Sequence, residues 1–114
     1  MRLYLAGPIT GTSDFNERFA EAREALRAQG YEVICPVEGC SPDLQEKLPW
    51  EYWMRRALMQ LLSTHGVALL PGWERSSGVE IELYVATRLK MPAFTVEEWL
   101  GKEPAEQLEL LQEA

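Results

Sequence analysis

Arg2-Leu3-Tyr4-Leu5-Ala6-Gly7-Pro8 stands at the head of the chain. Its mostly apolar run lacks alternation and is halted at once by Gly-Pro, which is how a strand buried on both faces of a parallel sheet reads. Beyond it, a Gly-, Pro- and Thr-rich loop over 7–13 leads to Asp14, an N-cap candidate with Glu17 three residues on. Phe15, Phe19, Ala22 and Leu26 then recur at helical spacing up to Gly30. Tyr31 to Cys35 predicts a second strand, stopped by Pro36, and Val37 to Pro49 a long loop of the kind that serves function in compact domains. Trp50, Trp53, Met54, Ala57, Leu58, Leu61 and Leu62 form the apolar stripe of a helix ending near Ser63, which puts its tryptophans in the core. Gly66 to Leu70 is a third strand closed by Pro71-Gly72. Gly78 to about Lys90 is a helix, Pro92 to Val96 a fourth strand with Pro only at its first residue, and the remainder is helical and acidic.

Strand and helix alternate four times. That pattern argues for one α/β, doubly wound, Rossmann-like (flavodoxin-like) domain over 1–114, a parallel sheet of four to five strands in the order 2-1-3-4, with 102–114 as an acidic C-terminal helix. In that order the topological switch point falls between the first and third strands, and ligands bind there, outside the carboxyl ends. The flanking loops are Gly7 to Gly11 and Pro71 to Ser77.

Composition narrows the possible functions. With 114 residues, 46% hydrophobic and 25% charged, the chain is an ordinary globular sequence. A net charge of −7 without a Lys/Arg cluster argues against a nucleic-acid polymer as partner. A small anion remains admissible, because a helix N-terminus supplies a local positive field. No apolar run reaches the roughly 20 residues of a bilayer span and no signal-peptide pattern is present, so no membrane partner and a cytoplasmic location are expected. Cys35 and Cys40 read as free thiols, since neither a second Cys pair nor a nearby His completes a metal set. The loop after the first strand lacks a Walker lysine and dinucleotide spacing, so no cofactor is expected.

Ser76-Ser77-Gly78-Val79-Glu80-Ile81-Glu82 carries the chemistry. Ser77 with Glu80 makes a capping box, which gives Glu80 a structural role. Projection at roughly 100° per residue puts Glu82 between Ala86 and Leu89, on an arc with Val79, Leu83 and Val85. Burial there raises a carboxyl pKa and the nearby helix N-terminus lowers it, opposed influences that suit a nucleophile or an acid/base group. Spacing alone equally allows a rim glutamate whose stem packs while its head reaches water. Ser76 and Ser77 either receive a phosphate or simply cap the helix. Tyr4, in mid-strand, reads as a core phenol with one hydrogen bond. Trp73, in a site loop, has the shape to stack on a base or sugar. His65, the sole histidine, falls at the opposite end of the sheet and reads as a turn residue or helix C-terminal cation.

Tyr4-Leu5-Ala6-Gly7-Pro8, Asn16 with Phe19, Leu70-Pro71-Gly72-Trp73 with Ser76, and Gly78-x-x-x-Glu82-x-x-x-Ala86 together resemble the nucleoside 2-deoxyribosyltransferase-like group, above all its small bacterial and phage branch. The likeness runs from Arg2 to about Val96, and the Gly-x-x-x-Glu-x-x-x-Ala element is its most specific part. It implies Glu82 as the nucleophile on C1′ of a deoxyribosyl ring, Tyr4 as the group orienting it, Gly7, Pro8 and Ile9 lining the sugar and base, and Ser76 on a 5′-phosphate, with Trp73 and Gly78 beside them. Ser76 stands where transferases carry an aspartate, which points toward a nucleotide. The chain also departs from the pattern. Ala57 replaces an aspartate that engages the base, His65 replaces a second one, and Tyr84 replaces a glycine; Glu74 and Asp14 are then the candidate acids. Two functions follow: an N-glycosidase or deoxyribosyltransferase acting on a deoxynucleoside or its 5′-monophosphate, and alternatively a non-catalytic nucleotide-binding module of the same fold. The apolar stripe Ala105, Leu108, Leu111 must be covered by its own domain or by another subunit. Relatives in the group assemble, which implies a homodimer or a higher homo-oligomer.

Overall fold

Four short runs, the first three ended by Gly or Pro and the fourth running straight into a helix, become the strands of the computed structural model, which describes residues 1–9, 14–38 and 47–113. They are β1 (Arg2–Ala6), β2 (Glu32–Ile34), β3 (Gly66–Leu69) and β4 (Ala93–Thr95). All neighbours pair in parallel in the order β2-β1-β3-β4, with Tyr4 opposite both Ile34 and Val67. The expected doubly wound order is therefore the observed one. The helices between them are α1 (Phe15–Ala28), α2 (Trp50–Leu62) and α3 (Ser77–Arg88), and α4 (Val96–Leu100) and α5 (Pro104–Glu113) follow the last strand. Among the described residues no helix is long and apolar enough to cross a membrane.

Period-two alternation along β1 divides the interior. Leu3 and Leu5 join Phe19, Ala22 and Leu26 of α1 and Trp99 of α4 in one core. Tyr4 and Ala6 point the other way, toward Leu61 of α2 and Val79 and Ala86 of α3. Trp99 closes the first core. It is fully buried, its Nε1 donates to the Val67 carbonyl at 2.7 Å, and Tyr31 and Phe94 meet it edge-on. Tyr31 in turn donates its hydroxyl to the Trp99 carbonyl at 2.9 Å.

Several local expectations are corrected. Asp14 does precede α1, but its carboxylate accepts from Arg18 Nε at 2.9 Å instead of from a helix N–H. The box foreseen at Ser77 and Glu80 does not form; Ser76 is the extended residue before α3, and its Oγ accepts the Val79 N–H at 3.3 Å. A reciprocal box occurs instead at Thr95 and Glu98, where it starts α4. In the tail Leu110 packs on the first core while Ala105 and Leu108 face outward, so the docking stripe is rotated from the one the spacing suggests. His65 is a turn residue whose Nδ1 accepts the Arg2 N–H at 2.9 Å, at the amino end of the sheet. Cys35 is a buried free thiol. Residues 10–13 and 39–46, with Cys40 and most of the long loop expected over Val37 to Pro49, lie outside the described residues.

Candidate active site

The alternation that sends Tyr4 into the second core also delivers it to α3. On that helix Val79 and Ala86 are buried at i−3 and i+4 from Glu82, so the carboxylate at 82 is carried inward with them. Glu82 is only 5% exposed, and its Oε2 has no hydrogen-bond partner. Burial pushes its pKa up to about 7, against the pull of a hydrogen bond from the Tyr4 hydroxyl. Burial first, and the adjacent Glu82 second, push the Tyr4 phenol far above its ordinary value, so it stays a neutral donor. A carboxylate near half-ionisation at neutral pH, backed by a phenol that cannot compete for charge, is equipped to attack an electrophile or to pass a proton.

These two groups stand on the wall of a cavity of about 830 Å³ at the carboxyl ends of β1 and β3, where the strand order reverses. Its shape depends on close approaches. A Cβ at Gly7 would lie 2.8 Å from both Cβ and Cδ1 of Leu70, so only a glycine lets the loop after β1 lie against the end of β3. A Cβ at Gly78 would meet Met54 Sδ at 3.2 Å, so the start of α3 can sit close to α2. Ser76, Ser77 and Gly78 thereby bring hydroxyls and the leading backbone N–H groups of α3 to the cavity.

Positive charge gathers at this place despite the net −7 of the chain. Arg18, Arg56 and Arg75 all line the cavity. Arg18 is tied to Asp14. The Arg56 Nη1 donates to the Pro36 carbonyl at 3.5 Å, its guanidinium lies 5.7 Å from the Trp53 ring centroid, and its charge acts on the Tyr4 phenol. Among the described residues no group of three or more His, Cys, Asp or Glu is placed to hold a metal.

A model of a domain family described as a domain of unknown function, DUF4406, matches residues 1–95. The chain belongs to DUF4406. No curated protein matches it. Among solved structures, this DUF4406 member is similar to the 2-deoxyribosyltransferase of the psychrotolerant bacterium Bacillus psychrosaccharolyticus, with a TM-score of 0.58, 20% identity, and coverage of 82% of this chain and 69% of that one. The fold of the DUF4406 chain is thus nucleoside 2-deoxyribosyltransferase-like.

Of the residues singled out by sequence, the DUF4406 structure brings Tyr4, Gly7, Pro8, Ile9, Ser76, Gly78 and Glu82 to one cavity. Trp73 is a correction. It begins a single 3-10 turn and packs against the second core, off the cavity wall. Conversely Trp50 and Trp53, expected in the core, line the cavity, and Trp50 is 47% exposed. Glu74 is exposed and off the wall, whereas Asp14 is on it but paired. Ala57 does face the cavity, while Tyr84 lies on the outside beneath Arg88. Sequence reasoning missed the three arginines and Gln60. Arg56 and Gln60 share a helical face with Trp53 and Ala57, so projection of α2 finds them once that face is known to border a cavity.

Proposed function

We propose that the protein cleaves the N-glycosidic bond of a deoxynucleoside, and preferentially of a deoxynucleoside 5′-monophosphate, with Glu82 as nucleophile. One observation carries this reading: a buried carboxylate with an unpartnered Oε2, steadied by the Tyr4 hydroxyl, on the wall of the switch-point cavity. The Glu82 oxygen attacks C1′, the C1′–O bond forms as the C1′–N bond breaks, and the electron pair departs with the base. Water, or a second base, then displaces the glycosyl group from Glu82 and regenerates the carboxylate. Tyr4 holds the carboxylate in line. Ser76, Ser77 and the start of α3 take the phosphate, and Arg75 next to them adds charge. Gly7, Pro8 and Ile9 line the sugar. The 2-deoxyribosyltransferase with the similar fold supports the choice of bond.

Ala57 favours a second reading, a module that binds a nucleotide and leaves it intact. The two separate in one assay, chromatography of the mixture after incubation with each deoxynucleoside and deoxynucleoside 5′-monophosphate. Free base from the native chain, and none from Glu82→Gln, is the expected result. Saturable binding with no free base from any substrate would establish the module instead.

A further inference from the structure

The cavity has two ends, and the sheet order assigns them. Pro36 follows β2 and Ser76 follows β3, on opposite sides of β1, where Tyr4 faces Glu82. A nucleotide whose phosphate lies at Ser76 and whose C1′ lies at Glu82 therefore sends its base toward Pro36 and the facing wall of α2. That wall presents Trp53, Arg56, Ala57 and Gln60. Two of its polar atoms, Trp53 Nε1 and Gln60 Oε1, are buried without a hydrogen-bond partner. Buried polar groups are nearly always satisfied, and both residues line the cavity that a base would enter.

The wall supplies hydrogen-bond donors but no acid. The carboxyl groups lining the cavity among the described residues are Glu82, used as nucleophile, and Asp14, held by Arg18 at 2.9 Å. Arginine does not give up its proton, so a guanidinium at the base stabilises negative charge and cannot protonate a ring nitrogen. Adenine and cytosine leave easily only after ring protonation. Uracil, thymine and hypoxanthine leave as anions that spread their charge onto an exocyclic oxygen, which Arg56 and the indole N–H can bind.

Resting on the glycosidase reading, we infer that Trp53, Arg56 and Gln60 form the leaving-group subsite, and that it selects bases able to depart as lactam anions. As the C1′–N bond breaks, its electron pair stays on the base. When water later attacks C1′, its hydroxyl goes to the sugar, its proton neutralises the base, and Glu82 is restored.

The test compares dUMP, dTMP and dIMP with dCMP and dAMP on the full chain, then repeats dUMP and 5-fluoro-dUMP with Arg56→Met and Arg56→Lys, after thermal unfolding shows that both variants are folded. Oxo-base substrates should turn over about tenfold faster or more. Arg56→Met should lower kcat on dUMP about 100-fold with KM little changed. The loss should be smaller on 5-fluoro-dUMP, whose base anion is inherently more stable, and Arg56→Lys should restore part of the rate. Equal turnover of dAMP or dCMP, or an Arg56→Met loss that ignores the fluorine, overturns the subsite while leaving the glycosidase in place. Release of base from no substrate overturns both.

Discussion

The Tyr4 hydroxyl acts on the Glu82 carboxylate, one group from mid-strand and the other from the second turn of a helix, and the phenol supplies the pull that lowers the carboxyl pKa against burial. Removing it with Tyr4→Phe should raise the Glu82 pKa further above 7 and move the alkaline-rising limb of kcat/KM to higher pH. A hydrogen bond to a charged group contributes about 1.5 to 3 kcal/mol, so kcat should fall about 10- to 100-fold. A pH–rate profile of the variant beside the native chain reads both effects.

The native profile has a sign fixed by the same group. In the proposed reaction Glu82 attacks as the carboxylate, so kcat/KM should rise tenfold per pH unit below about 7 and level off above it. A flat profile between pH 5 and 8 would remove Glu82 as nucleophile.

Stability runs in the opposite direction. The folded pKa of about 7 lies above the ordinary carboxyl value of 4.5, so the folded state holds the proton more tightly than the unfolded chain. The resulting stabilisation is complete below pH 4.5 and is lost as pH rises through 7. Glu82→Gln, which cannot ionise, should therefore be more stable than the native chain at pH 8, by up to about 3 kcal/mol. The advantage should vanish near pH 4.5. Denaturant midpoints at the two pH values check this.

Gly7→Ala forces a methyl to within 2.8 Å of Leu70, and overpacking of this kind costs about 1 to 3 kcal/mol. It should also move the loop that borders the cavity and raise KM. Leu70→Gly in the same chain, which removes both the Cβ and the Cδ1 in the way, should return part of the substrate affinity.

Exposed apolar side chains on the outer helix layer, Met59 and Leu62 of α2 with Ile81 and Tyr84 of α3, fit the proposal that two or more copies associate. Light scattering should then give at least twice the chain mass, and Met59→Glu with Tyr84→Glu should lower it to one chain.

Much of this architecture can be read from the residues, because each of the first three strands is a short run with its own stop: Gly7-Pro8, Pro36 and Pro71-Gly72. The 2-1-3-4 order follows from parallel winding. Helix starts are harder. Ser76 and Ser77 are equally good caps by residue type, and the structure uses Ser76, whose hydroxyl accepts the Val79 N–H. Spacing likewise reads Trp50 and Trp53 as core-facing, since periodicity marks a buried face without saying whether side chains or a cavity lie opposite. Glu82 is visible because a charge on an apolar arc breaks the pattern. Arg18 and Arg75 break none, and only the meeting of distant segments brings them to the site.

Three of the four tryptophans, Trp50, Trp53 and Trp99, divide the molecule optically. Trp99, fully buried and hydrogen-bonded on the far side of the sheet, emits from a dry, fixed environment until the first core opens. Trp50 and Trp53 emit from the cavity wall. A ligand stacking there should quench or shift the red, solvent-exposed part of the spectrum and leave the blue part unchanged, whereas unfolding should shift the blue part. The chain thus carries its own fluorescent report of occupancy, separable from its report of integrity.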